Sequence, residues 1–145
     1  MAVIATTTVD SEAGYAQQIE AAGHRLTADE PTASGGTDTG PPPYGLLLAA
    51  LGACTSITLR MYAEHKGWTL GHIHVDLRHI KTHDGGEHIE RDVRFGAPLT
   101  DEQRAHIADI VEKTPVTKTI KAGAPIVTRL VDAATPPPKR DTITT

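Results

Sequence analysis

Cysteine occurs once in this chain, at Cys54, and aromatic residues are nearly as scarce, with one Trp, one Phe and three Tyr among 145 residues. A lone cysteine excludes a disulfide-stapled secreted scaffold and routes any covalent redox chemistry through one sulfur. With so few rings, Ala, Leu, Ile and Val must fill the core, which favours close helix packing. A basic stripe is missing too: the formal charge is −4 and opposite signs are interspersed, so nucleic acid is not an expected partner. The first twenty residues lack the basic start and apolar core of a signal peptide, which points to the cytoplasm. Phosphate-binding GxxxxGK[ST] and GxGxxG patterns and the GxSxG elbow are absent, so Ser34-Gly35-Gly36-Thr37 reads as a turn.

No charged side chain occurs between Asp38 and Arg60, yet the continuous apolar run, Tyr44 to Cys54, covers 11 residues. A membrane-spanning helix needs ~20, so this stretch is expected to be a buried helix, with no membrane as partner. It should run from about Pro43 to Lys66, with proline in its first turn and Gly67 as its stop. Its first half has no polar face and needs cover on every side, which predicts a homodimer.

The chain as a whole fits a single α+β domain over residues 1–133, followed by a Pro-rich tail, 134–145, expected to be disordered. Ala2 to Val9 reads as a strand, and Tyr15 to Ala21 and Gly23 to Asp29 as two more joined by a tight turn near Ala22-Gly23. Pro31 to Pro43 is a stiff loop without regular structure. From Gly71 the period becomes two. Ile73, Val75 and Leu77 alternate with His72, His74, Asp76 and Arg78, and after Asp84-Gly85-Gly86 a second strand alternates Ile89, Arg91, Val93 and Phe95 with Glu90, Asp92 and Arg94. A capping box at Thr100 and Gln103 opens a helix ending near Lys113. Thr114-Pro115 opens a short helical turn, and a last strand is expected over Pro125 to Val131.

Helical spacing gives Cys54 the neighbours Leu47, Ala50, Leu51, Ile57, Thr58 and Met61. On residues alone Cys54 reads first as a small buried hydrophobe, with a reactive thiol as the alternative. His72, His74 and Asp76 share a strand face at metal-ligand spacing, but a solvated outer face explains them, as it does His79, His83 and His88, so no metal or other cofactor is expected. Arg91 is the oddity, a cation at apolar parity whose buried head needs an acidic or thiolate partner.

The runs Gly23 to Pro31, Gly35-Gly36-Thr37-Asp38-Thr39-Gly40-Pro41 and Pro43 to Thr55, then Leu59 to Ala63 and Lys66-Gly67-Trp68, closely resemble the OsmC family, which includes the organic hydroperoxide resistance proteins. The resemblance spans roughly residues 14 to 131. It implies an OsmC-like fold, an intertwined homodimer whose antiparallel sheets wrap the central helix. It also implies that Cys54 is the peroxidatic cysteine, which attacks the O–O bond of an organic hydroperoxide and becomes a sulfenic acid. The family's second, resolving cysteine falls on Thr114, which excludes a two-cysteine cycle within one chain and calls for an external thiol or dithiol reductant. Where many members carry glutamates after the proline, this chain has Tyr44-Gly45, and no arginine precedes Gly14. Arg25, Arg60 and Arg91 are the candidate substitutes, with Tyr44 a further candidate neighbour of the site. The function implied is thiol-dependent hydroperoxide reduction in oxidative stress defence. The alternative is a non-enzymatic dimer that binds a small hydrophobic or thiol ligand.

Overall fold

The computed structural model describes residues 1–133, so the predicted tail at 134–145 lies outside the described residues. The chain forms two compact units, one of residues 1–43 with those from 126 on, the other of residues 44–125. In the first unit, β1 (Thr7–Asp10), β2 (Gln17–Ala21) and β3 (His24–Ala28) form an antiparallel sheet in the order β1-β2-β3. Ala22 and Gly23 both have positive φ, 51° and 82°, and this turn has the twist that a two-residue hairpin requires. β1 is shorter than the predicted Ala2 to Val9: its register starts at Thr7 opposite Ala21, where β2 ends, so residues 2–6 overhang without a partner.

Asp29, predicted as the end of β3, organises the loop that follows. Its Oδ1 accepts from the Glu30 amide at 2.7 Å, and its Oδ2 accepts from the hydroxyls of Thr37 and Thr39 at 2.6 and 2.7 Å and from both their amides. The backbone closes tightly around it, because a Cβ on Gly36 would lie 1.9 Å from the Glu30 carbonyl oxygen and one on Gly40 2.1 Å from that of Thr27. The loop is therefore stiff as expected, although it contains a single 3-10 turn, Thr32–Ser34. The hydroxyls of Thr37 and Thr39 hold the Asp29 carboxyl well below the ordinary carboxylate range. A depressed folded-state pKa stabilises the fold above the unfolded value, near pH 4, and that contribution disappears as pH falls further. Asp29→Asn is expected to lower Tm at pH 7 and to flatten the decline of Tm between about pH 5 and pH 2, as thermal melts across that range will test.

The second unit begins with α1 (Pro43–Lys66), whose bounds match those predicted. Its C-terminus is a Schellman motif: Gly67 has φ 70°, its amide donates to the Glu64 carbonyl and the Trp68 amide to that of Ala63. The hairpin of β4 (Ile73–Lys81) and β5 (Glu87–Phe95) pairs Ile73 with Phe95 through to Lys81 with Glu87. Leu59 and Ala63 of α1 bury themselves with Leu70 and Ile107 against Ile73, Val93 and Phe95, the apolar parity of the hairpin. α2 (Asp101–Val111) opens on the predicted capping box but stops before Lys113, its cap being Glu112. α3 (Pro115–Ala122) is a full two turns rather than one, ended by Gly123 at φ 70°.

One expectation is corrected. Residues 125–131 form no strand, because no neighbouring strand among the described residues supplies hydrogen bonds, and Ile126 and Leu130 stand 91% and 99% exposed. α1, expected to need cover that so small a chain does not itself supply, is not buried on every side within the chain. Its 24 residues have the length and hydropathy of a membrane span, and one side packs into the core just described, but Tyr44, Leu47, Ile57 and Met61 are exposed.

Candidate functional site

Cys54 lies in the middle of α1, partly exposed and unpaired with any other sulfur. The next residue, Thr55, is fully buried, and its hydroxyl donates to the Leu51 carbonyl one turn back at 2.7 Å. That leaves the oxygen free to accept, and Arg91 uses it. The Arg91 Nη1 donates to Thr55 Oγ1 and to Thr117 Oγ1, both at 2.9 Å, while Nη2 donates to the Val111 carbonyl at 2.8 Å. Its side chain is 11% exposed, and a Glu112 oxygen stands 3.9 Å from Nη2. One inward-facing arginine of β5 thus ties together α1, the end of α2 and the start of α3. The buried cation is held mainly by neutral oxygens, with a carboxylate at the edge.

Thr114 caps α3 by position but not by its side chain. Its fully buried hydroxyl forms a 2.6 Å hydrogen bond with Thr117 Oγ1 instead of an N-terminal amide. The position assigned to a second cysteine therefore belongs to the same polar network as Thr55, the residue next to Cys54.

A cavity of about 650 Å³ opens beside this network. Tyr44, Leu47 and Leu51 of α1 form one wall, with Ile89 and Ile120 also lining it. Cys54, three residues after Leu51 and seven after Leu47, continues the same helical face. At one end are Arg91, Glu112 and Lys121; at the other, Tyr44 stacks on His79 at 4.5 Å between centroids, and His79 Nε2 meets a Glu87 oxygen at 2.7 Å. Lys121 hydrogen-bonds Glu112 and, with Arg91 adding its charge, holds that carboxyl below its ordinary range.

Of the predicted site residues, Cys54, Thr114 and Arg91 meet on this network or adjoin it, and Tyr44 lines the cavity. Arg60 does not join them: six residues beyond Cys54 it lies about two-thirds of a turn round the helix, exposed. Arg25 is exposed on β3 in the first unit. Sequence reasoning missed His79, Glu87, Glu112, Thr117 and Lys121. His79 and Glu87 did carry a signal, since both share the odd-numbered parity of Leu77, Ile89 and Arg91. The strand-face histidines hold no metal cluster among the described residues; His74 pairs with Asp76 at 3.1 Å, and Asp76 with Arg94.

A lone thiol on the long helix of an α+β fold, one residue from a hydroxyl that a buried guanidinium grips, defines a candidate single-thiol site. The family model described as OsmC-like protein matches residues 36–129, and the chain belongs to that family. A comparison with curated proteins returned no match. Among solved structures, the chain is similar to an OsmC-like protein from Mycoplasma pneumoniae, with 18% identity, TM-score 0.66, and 82% of this chain and 86% of that one covered. It is also similar to an organic hydroperoxide resistance protein OsmC from Legionella pneumophila, with 20% identity, TM-score 0.59 and coverage of 80% and 89%. A third is the organic hydroperoxide resistance protein OhrB of Bacillus subtilis, with 23% identity, TM-score 0.56 and coverage of 82% and 91%.

Proposed function

We propose that this OsmC-like chain reduces organic hydroperoxides through Cys54 alone. The observation that carries the reading is the Arg91 guanidinium fixed on Thr55, which brings a buried positive charge to the turn of α1 that bears the thiol. The Cys54 thiolate attacks the O–O bond of the hydroperoxide; a proton goes to the leaving alkoxide, an alcohol departs, and Cys54 becomes a sulfenic acid. An external thiol condenses with the sulfenic acid, releasing water and leaving a mixed disulfide. A second thiol displaces Cys54 and departs as the oxidised disulfide. The cycle requires no metal or cofactor. It suits the cytoplasm, where a lone thiol stays reduced, and involves neither nucleic acid nor a membrane. The exposed stripe of Leu47, Ile57 and Met61 around Cys54 is covered, in this reading, by a second copy in a homodimer.

The test is mass spectrometry after stoichiometric organic hydroperoxide with a sulfenic-acid trap. A single adduct at Cys54, reversed by a dithiol when the trap is omitted and absent in Cys54→Ser, is expected. No adduct would overturn the peroxidase reading. One observation favours a second reading, a non-enzymatic dimer that binds a small hydrophobic or thiol ligand: Cys54 is not among the residues lining the cavity, whose walls are largely apolar. Ligand binding that survives Cys54→Ala supports that alternative.

A further inference from the structure

The cavity beside the Arg91 network is apolar between its ends and cancels its own charge. Leu47 and Leu51 of α1, Ile89 of β5 and Ile120 of α3 line it, and its volume of about 650 Å³ is that of a small-molecule site. Its formally charged lining residues are two cations, Arg91 and Lys121, and two carboxylates, Glu87 and Glu112. Each is already engaged within the protein. Lys121 hydrogen-bonds Glu112, Glu87 meets His79, and Arg91 gives three hydrogen bonds to neutral oxygens with Glu112 3.9 Å away. An ion entering the cavity finds no unpaired counter-charge, so it must split one of these pairs or stay uncompensated, whereas a neutral molecule exchanges only water for the walls. At the Glu87 end, Tyr44 and His79 line the cavity as a stacked pair, and a third ring gains from packing on such a surface beyond the area it buries. Cys54 is not among the lining residues, so the ligand need present nothing that a thiol attacks or exchanges with.

We infer that this cavity is a binding site, separate from the thiol, for an uncharged, ring-bearing apolar molecule. The aliphatic walls supply the affinity, the Tyr44–His79 pair selects the ring, and the self-paired charges at the ends reject ions. The inference rests on the ligand-binding reading above, narrows its ligand to a neutral one, and is independent of sulfenic-acid formation at Cys54.

Full-length protein is titrated with phenylnaphthylamine, a neutral dye that fluoresces in apolar surroundings, and with anilinonaphthalene sulfonate, which has the same rings and a negative charge. The neutral dye is expected to bind saturably and about tenfold more tightly than the sulfonate, the cost of admitting an uncompensated ion. Ile120→Gln should weaken the neutral dye about tenfold by removing apolar wall, and Ile89→Gln tests the opposite wall should α3 loosen in the first variant, with thermal melts reporting the fold of each. Tyr44→Leu, which keeps apolar bulk but not the ring, should weaken it about threefold. Glu112→Gln strips Arg91 and Lys121 of their carboxylate, and the affinity of the sulfonate relative to the neutral dye should rise about fivefold, a modest gain because that pair is half exposed. Leu130→Gln removes an exposed apolar side chain that does not line the cavity and should leave the titration as it is. Neutral-dye binding lost in Leu130→Gln, or indifferent to Ile89, Ile120 and Tyr44, puts the dye elsewhere and overturns the inference. Sulfonate binding as tight as that of the neutral dye overturns the inference but leaves the ligand-binding reading in place, and binding of neither dye overturns both.

Discussion

Replacing Arg91 with methionine is expected to slow sulfenic-acid formation at Cys54 at least tenfold and to lower the melting temperature by roughly 10 °C. Both effects come from the same hydrogen bonds. Methionine fills much of the volume of the arginine stem but leaves the Val111 carbonyl only the long 3.4 Å bond from the Thr117 hydroxyl and deprives Thr55 and Thr117 of the charge-assisted bonds that hold their hydroxyls. Losing several hydrogen bonds to a buried charged group costs about 3 kcal/mol, discounted because Thr55 and Thr117 keep bonds to the Leu51 carbonyl and to Thr114. The rate falls because the nearest fixed cation on the network beside Cys54 is gone. Arg91→Lys separates the two contributions. Lysine carries the charge, but its ammonium cannot present the planar fork that reaches two hydroxyls and a carbonyl at once. It should restore more of the sulfenic-acid rate than of the stability, as stopped-flow trapping and thermal melts on the three proteins will measure. A Met variant that reacts as fast as the parent removes Arg91 from the mechanism.

The elements are legible in the sequence wherever the signal is local. Pro43 and Gly67 bound α1 because one needs no amide donor at a helix start and the other tolerates positive φ at its end. The alternation of Ile89, Arg91, Val93 and Phe95 is enough to turn Arg91 inward. Its partners are not legible, because Thr55, Val111 and Thr117 stand 36, 20 and 26 residues away on three helical elements. Their convergence is a product of packing. His79 has the same inward parity, a cue that weighing the histidines as metal ligands hides, since this one stacks on Tyr44 and meets Glu87. Residues 125–131 fail in the opposite sense. Ile126, Val127, Leu130 and Val131 have strand composition, but a strand exists only where another edge completes its hydrogen bonds.

Thr114→Cys is expected to change the reductant requirement. Thr114 already sits on the network that reaches Thr55 through Thr117 and Arg91, so a thiol there lies close to the turn of α1 that carries Cys54. After hydroperoxide treatment the sulfenic acid at Cys54 should condense with the thiol at position 114, releasing water and closing an intrachain disulfide two hydrogen masses below the reduced protein. The sulfenic-acid trap then captures little, and turnover passes from monothiols to dithiols, which reduce a protein disulfide without leaving a mixed one. The substitution also removes the Thr114 hydroxyl from Thr117, a cost of about 1 kcal/mol, too small to unfold a domain of this size. The disulfide demands Cα atoms about 4.4–6.8 Å apart, and α3 must shift where the resting distance is greater. A variant that keeps a trappable sulfenic acid and shows no disulfide by mass would mean that position 114 does not approach Cys54 during the cycle. In that case the chain lacks the approach that resolution requires as well as the second sulfur.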